Sequence, residues 1–265
     1  MWHGEGATVS GVVVGMKRAS DCSAVVRWAS REAVLRALPL SLVHVWDEPV
    51  EVVVDLDPDS EPDLVSVATS RAVPGAAAAT LVAQEPDLLA LGGHAGVPRL
   101  SAVARHCLRH APCPVAIVPR DERPPTGRVV AGVGSGDGSR AALRWAADEA
   151  HRRDARLVVV HAWQVQVETA SDLLRPAHTI PEQLDAAHDR LRAWVRDAVG
   201  DIDVDVHATH SGPLDALLRF SASADLTVIG HAVHPGWGRV LHGAVGSDLG
   251  GLAPCPVVFV PPPRD

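Results

Sequence analysis

The chain repeats itself, and that repeat limits what it can fold into more tightly than any other feature. Arg27-Trp28-Ala29 returns as Arg144-Trp145-Ala146, and His44-Val45-Trp46 as His161-Ala162-Trp163, both at an offset of 117 positions. Near the start of each half, Val12-Val13-Val14-Gly15 is answered by Val130-Ala131-Gly132. Asp87-Leu88 returns as Asp225-Leu226 at an offset of 138, and Ala111-Pro112-Cys113-Pro114 as Ala253-Pro254-Cys255-Pro256 at 142. Five matches in one order mean two copies of one unit, each needing its neighbour's surface or its own layers to bury an apolar face. The growing offset places the difference: the first half lacks 21 residues (138 less 117) between its second and fourth strands, and 4 (142 less 138) after the fourth. Pro119-Arg120-Asp121-Glu122-Arg123-Pro124-Pro125-Thr126-Gly127 is polar and proline-rich, as a linker requires. The expected division is a first unit over 1–120, a linker over 121–127 and a second unit over 128–262.

In the second half short apolar runs alternate with helical spacing. Strands are expected at Arg128–Val133, Leu157–His161, Val204–Ala208, Asp225–Ile229 and Val257–Val260. Ser139 is placed to cap a helix running through His151, with Leu143, Ala147 and Ala150 on one face. Pro181 suits the first turn of a helix carrying Leu184, Ala187, Leu191 and Val195; Pro213 opens another, and a last helix is expected around Gly243 to Leu252. In the first half, strands are read at Val9–Val14, Leu40–Val45, Val65–Ala68 and Leu88–Leu91, with a helix from Pro74 through Val82. Asp47 to Asp63, rich in acids and prolines, reads as an exposed loop where the second half has its long helix. Strands alternating with helices predict an α/β fold: two doubly wound parallel-sheet domains in tandem, the first abbreviated, with right-handed crossovers. Ligands of such sheets bind beyond the carboxyl ends of strands, here the loops after Val133, His161, Ala208 and Ile229.

Composition narrows the function classes. A net charge of -8 and a sequence pI of about 5.9 argue against broad nucleic-acid binding. No apolar run approaches the roughly 18 residues of a membrane span, and the first residues lack the pattern of a secretory signal, so a cytoplasmic location is expected. None of the four cysteines forms a C-x-x-C pair; Cys113 and Cys255 read as small buried residues at the start of a strand. Trp145 and Trp163 read as core fillers beside their strands.

Each half ends its fourth strand in Asp-Leu-x-x-x-Gly (Asp87 to Gly92, Asp225 to Gly230) and runs through a loop and helix into Ala-Pro-Cys-Pro and a valine-rich strand. Each opens with a strand, a short loop and a helix carrying Arg-Trp-Ala. In this the chain resembles the universal stress protein family over nearly its whole length. Arg-His-Ala-Pro-Cys-Pro-Val at 109–115 and Leu-Ala-Pro-Cys-Pro-Val at 252–257 are the most specific segments. The resemblance implies adenine nucleotide alpha hydrolase-like domains, pairing through their last strands, Val115–Val118 and Val257–Val260. In members with an intact loop it also implies adenosine-nucleotide binding by Gly, two residues, Gly, nine residues, then Gly followed by Ser or Thr. Glycines let backbone amides approach phosphates, and a hydroxyl adds a further bond. The second half keeps Gly230 and Gly243, with Gly236, Gly238 and Arg239 between them, but Val233 stands for the middle glycine and Ala244 for the hydroxyl residue. The first half keeps Gly92, Gly93 and Gly96 without the closing pair. The acidic residue that follows the first strand in nucleotide binders is replaced by Lys17 and, after Val133, by Gly134.

The candidate cofactor-binding set is therefore Val133, Gly134, Gly230, Gly236, Gly238, Arg239 and Gly243, with ATP or another adenine nucleotide as its ligand. No catalytic or metal set emerges: the nucleophile elbow, the P-loop and H-E-x-x-H are all absent from the sequence. Gly132-Val133-Gly134-Ser135-Gly136 fits neither a dinucleotide loop nor an elbow; conformational freedom at a tight turn accounts for its glycines. Asp55, Asp57 and Asp59 lack the glycine and distal glutamate of a calcium loop. His210, His231, His234 and His242 fall on or near the second half's carboxyl-edge loops, and His106 and His110 share a helix face without an evident third ligand. Two functions stay open: a non-catalytic regulatory or scaffold protein with unknown protein partners, its halves packed as an internal pseudo-dimer and homodimerisation allowed; or an adenine-nucleotide binder using the second-half loop.

Overall fold

The computed structural model describes residues 10–16, 23–46, 68–74, 76–93, 96, 98, 100–134, 137–163, 179–200, 202–231 and 245–263. Nearly uninterrupted apolar runs become strands buried on both faces: β1 (Val12–Met16), β2 (Leu40–Trp46), β4 (Leu88–Gly92) and β5 (Val115–Val118) in the first half, with β3 (Ala68–Pro74) outside them. The second half supplies β6 (Arg128–Gly132), β7 (Arg156–Trp163), β8 (Val204–His210), β9 (Leu226–Gly230) and β10 (Val257–Val260). Between them lie α1 (Ser23–Arg36), α2 (Ala77–Ala83), α3 (Ala102–His110), α4 (Asp137–Arg152), α5 (Thr179–Val199), α6 (Pro213–Ser221) and α7 (Gly246–Leu252).

All ten strands belong to one sheet in the order β3-β2-β1-β4-β5-β10-β9-β6-β7-β8. Each half is parallel within itself, and the two meet where β10 pairs antiparallel with β5, Val257 opposite Ile117, Val258 opposite Ala116 and Phe259 opposite Val115. The two-residue period of the strands sorts side chains to opposite faces. Val12, Val14, Val258 and Val260 pack with Val25, Ala29, Leu143 and Ala146 under α1 and α4, whereas Val13, Val257 and Phe259 pack with Leu81, Leu217 and Leu249 under α2, α6 and α7. Each of these two layers runs without a break from one half into the other.

The repeat holds in the packing. A methyl group on Gly15 would meet Leu81 at 2.6 Å and Leu91 at 2.7 Å; one on Gly132 would meet Leu217 at 2.6 Å and Ile229 at 2.9 Å. Four expectations about elements change. The third strand of the first half runs Ala68–Pro74 rather than Val65–Ala68, of which 65–67 lie outside the described residues. Pro74 thus closes a strand instead of opening a helix: β3 is the outermost strand on its side, and an edge tolerates a residue that cannot donate. Ser139 lies inside α4, which begins at Asp137, and so does not cap it. The first strand begins at Val12, with Ser10 and Gly11 before it rather than in it; Val9, the expected loop at 47–63, and Gly243 and Ala244 at the start of the last expected helix fall outside the described residues. Among the described residues, no helix is long and apolar enough to cross a membrane.

Candidate functional site

The carboxyl ends of β6, β7 and β9 meet over the start of α4. Val133 N–H donates to the Val160 carbonyl at 2.9 Å, and the Val133 carbonyl meets Nδ1 of His161, also at 2.9 Å. The Gly134 amide donates to Ser139 Oγ at 2.8 Å. A serine read as a helix cap therefore fastens the strand-to-helix turn from within the helix, because its short side chain can turn back on the loop that precedes it. Gly230 abuts the same turn. A Cβ on Gly230 would overlap the Gly138 carbonyl and lie 3.0 Å from the Ser139 amide nitrogen. Val133, Gly134 and Gly230 are thus brought together around the first turn of α4, with the Val133 amide and carbonyl and the Gly134 amide bonded within the chain. Gly236, Gly238, Arg239 and Gly243, as well as Val233, Ala244 and Lys17, lie outside the described residues.

The first half repeats the geometry. His44 Nδ1 meets the Met16 carbonyl at 3.2 Å, as His161 meets that of Val133. The Gly93 amide donates to the Val118 carbonyl at 2.7 Å, as that of His231 donates to Val260 at 2.6 Å. These ties join neighbouring strand ends. His106 and His110 stack at 4.2 Å between ring centroids, and His110 Nδ1 meets the His106 carbonyl. Among the described residues no group of three or more His, Cys, Asp or Glu could hold a metal ion; His234, His242, Asp55, Asp57 and Asp59 lie outside them.

Cys107, Cys113 and Cys255 are free and buried. Burial pushes the Cys107 thiol up to about 11 and that of Cys113 to about 12, and raises Cys255 as well. These groups stay protonated near neutral pH and are poor nucleophiles.

Two features went unread in the sequence. The aspartates of the Asp-Leu-x-x-x-Gly motif clamp the segment leading into the first strand of their own half. Asp87 accepts from the Gly11 amide (2.7 Å) and Ser10 Oγ (3.1 Å). Asp225 accepts from the amides of Thr126, Gly127 and Arg128 and from Thr126 Oγ1. The second feature is a buried ionic cluster between α1 and α4. Glu32 and Glu149 have no exposed side-chain surface. Arg36 pairs with Glu32 on its own helix and with Glu149 on the other; Arg153 pairs with Glu149 and crosses to Glu32. Both pairs stand 117 positions apart, so the signal lay in the repeat already described. A cleft of about 530 Å³ borders this cluster, its inner side formed by Trp28, Arg31, Glu32, Leu35 and Arg153 and its outer side by the connection that contains Glu122. Glu122 bonds Arg27 at 2.9 Å and lies 3.6 Å from Arg31.

Comparison with known proteins agrees with this architecture. The profile described as "Universal stress protein family" matches residues 125–261. A universal stress protein of Mycobacterium tuberculosis strain H37Rv is 32% identical, the alignment covering 94% of this chain and 95% of that protein. The crystal structure of a putative universal stress protein from Pseudomonas aeruginosa superposes with a TM-score of 0.66 at 20% identity, covering 97% of this chain and 94% of the other. A universal stress protein solved in complex with cAMP is 26% identical over 51% of this chain and 97% of its own, with a TM-score of 0.35.

Proposed function

Because this chain belongs to the universal stress protein family, we propose that it acts as a non-catalytic regulatory or scaffold protein whose two halves, 1–120 and 128–262, form an internal pseudo-dimer about the linker 121–127. The observation that carries this reading is the Gly134 amide. It stands where a nucleotide binder of the family offers its first-strand loop, it is bonded to Ser139 Oγ, and Gly134 occupies the sequence position at which those binders carry an acidic residue. The sequence adds Val233 and Ala244 in place of a loop glycine and a hydroxyl residue. Each lost polar contact costs about 1–3 kcal/mol, so three losses are enough to remove ordinary ATP affinity. The pseudo-dimer reading is supported by the β5–β10 pair, by the two core layers common to both halves and by the crossed ion pairs. Protein surfaces are then its partners, and the cytoplasm its location.

A second reading, an adenine-nucleotide binder, draws on Gly230 and Gly243, which keep the family's thirteen-residue separation. Thermal unfolding of the full chain with ATP, ADP, AMP and cyclic AMP, each with and without Mg²⁺, separates the two. A ligand at 100 times its Kd adds about 2.7 kcal/mol to a native state that binds it. A flat response is expected. A saturable rise with any nucleotide overturns the proposal and moves the function to the second-half loop.

A further inference from the structure

The cluster between α1 and α4 is symmetric in its glutamates and in its crossing arginines, but not in what surrounds them. Glu149 is approached by three arginines: Arg36 from the other half, Arg153 at 2.9 Å and Arg152 at 3.5 Å. Glu32 is approached by two, Arg36 at 3.3 Å and Arg153 from the other half. The position equivalent to Arg152, 117 residues earlier, is Leu35. One substitution between the copies thus leaves Glu32 with a guanidinium fewer, while both carboxylates remain fully buried and face each other.

We infer that this seam is an acid-strengthened clasp, in which one proton taken up by Glu32 and shared with Glu149 tightens the hold of the two halves on each other as the medium acidifies. Charge and burial give the reason. Two carboxylates withdrawn from water in one small space repel, and each needs compensation to remain ionised. Burial, with the charge of Glu149 and a hydrogen bond to it, raises the Glu32 carboxyl to about 7 against the opposing pull of Arg153 and Arg36. The remaining charges around Glu32 are held elsewhere. Arg31 and Arg27 on α1 meet Glu122 of the linker, Arg123 donates to the Ala222 carbonyl, and Asp225 accepts the amides of the linker's end. Asp121 lines the outer part of the cleft. The cleft beside Glu32 gives the proton its route from solvent. A carboxyl group raised in the folded state stabilises that state fully below its unfolded value of about 4.5, and the contribution is lost as pH rises through about 7.

The test uses the full chain labelled with ¹³C at the glutamate carboxyls, titrated by NMR between pH 4.5 and 8.5, with thermal unfolding over the same range. The expected result is one glutamate resonance with a midpoint near 7, a proton affinity roughly 300-fold above an ordinary glutamate, absent in Glu32→Gln. Wild type is expected to lose more thermal stability than Glu32→Gln between pH 5 and pH 8. Leu35→Arg, at a partly exposed position lining the cleft, supplies the missing guanidinium and should move the midpoint down by tenfold or more in proton affinity. If no glutamate titrates above pH 6, if the neutral resonance belongs to Glu149 alone, or if Leu35→Arg leaves the midpoint unmoved, the inference is overturned. Should Glu32→Gln fail to fold, the Leu35→Arg comparison decides the matter alone.

Discussion

Gly230 opens the segment that resembles a nucleotide-binding loop, yet the structure gives it a reason to be glycine that involves no ligand, and this can be tested against Gly92. Both end the Asp-Leu-x-x-x-Gly motif of their half. A Cβ on Gly230 would overlap the Gly138 carbonyl and sit 2.5 Å from its carbon, so the backbone of β9 or of the first turn of α4 must move. A backbone contact cannot be relieved by a rotamer change, which puts Gly230→Ala at or beyond the upper end of the usual 1–3 kcal/mol for overpacking, about 3 kcal/mol. A Cβ on Gly92 meets only Val25 Cγ1 at 3.9 Å, an ordinary contact. Removing a glycine from that strand should be neutral or gain about 0.5 kcal/mol. For a chain of this size the melting temperature of Gly230→Ala should fall by roughly 6–12 °C, with Gly92→Ala within about 2 °C of wild type. Calorimetry without nucleotide, repeated as urea unfolding with unchanged m-values, measures both. Equal melting temperatures for the two variants would refute the packing argument and return Gly230 to a ligand-binding explanation.

Asp225→Ala removes the acceptor of three backbone amides and a hydroxyl and is expected to cost about 2 kcal/mol in urea unfolding, with faster proteolysis inside 119–127; Asp87→Ala, with one amide and one hydroxyl, should cost about 1 kcal/mol. Equal losses would contradict the clamp account. Glu149→Leu leaves Arg36 and Arg153 short of a buried partner and should cost about 3–5 kcal/mol, whereas the fourfold variant Glu32→Leu, Arg36→Met, Glu149→Leu, Arg153→Met should stay within about 2 kcal/mol of wild type. A fourfold variant as weak as the single one would show that the cluster holds no repairable desolvation cost. The raised Cys107 and Cys113 thiols give a second pH window: their contribution is intact below the unfolded value of 9.0 and is lost as pH rises through about 11 and 12. In a Cys22→Ser background, a thiol reagent at pH 8 should therefore label these cysteines only after denaturant is added.

Much of the fold was legible because burial on both faces makes a central strand a continuous apolar run, and Val257–Val260 or Leu88–Gly92 admit no other reading. The third strand of the first half reads from sequence as Val65–Ala68 instead of Ala68–Pro74, because an edge relaxes the rule that bars proline and Pro74 therefore points to a helix start rather than a strand end. The candidate site was legible in part. Its glycines were found by pattern, but which of them serve packing depended on the approach of Gly138, five positions beyond Val133 in sequence and adjacent to Gly230 only in space. The Glu32–Arg36 and Glu149–Arg153 pairs are visible as one i, i+4 repeat on two helices. Their exchange of partners is not, because helical periodicity fixes the face a residue occupies and leaves open which helix lies opposite.

The antiparallel joint between β5 and β10 also sets a schedule for synthesis. Val118 and Val260 lie about 140 residues apart, which at roughly 5–20 residues per second is about 7–30 s on the ribosome. A first half that folds within that interval presents Val115–Val118, an apolar strand buried on both faces in the mature sheet, with no strand along one edge. Glu32 meanwhile waits for Arg153. Such an edge is a template for aggregation until β10 covers it, and a delay in translating the second half lengthens that exposure.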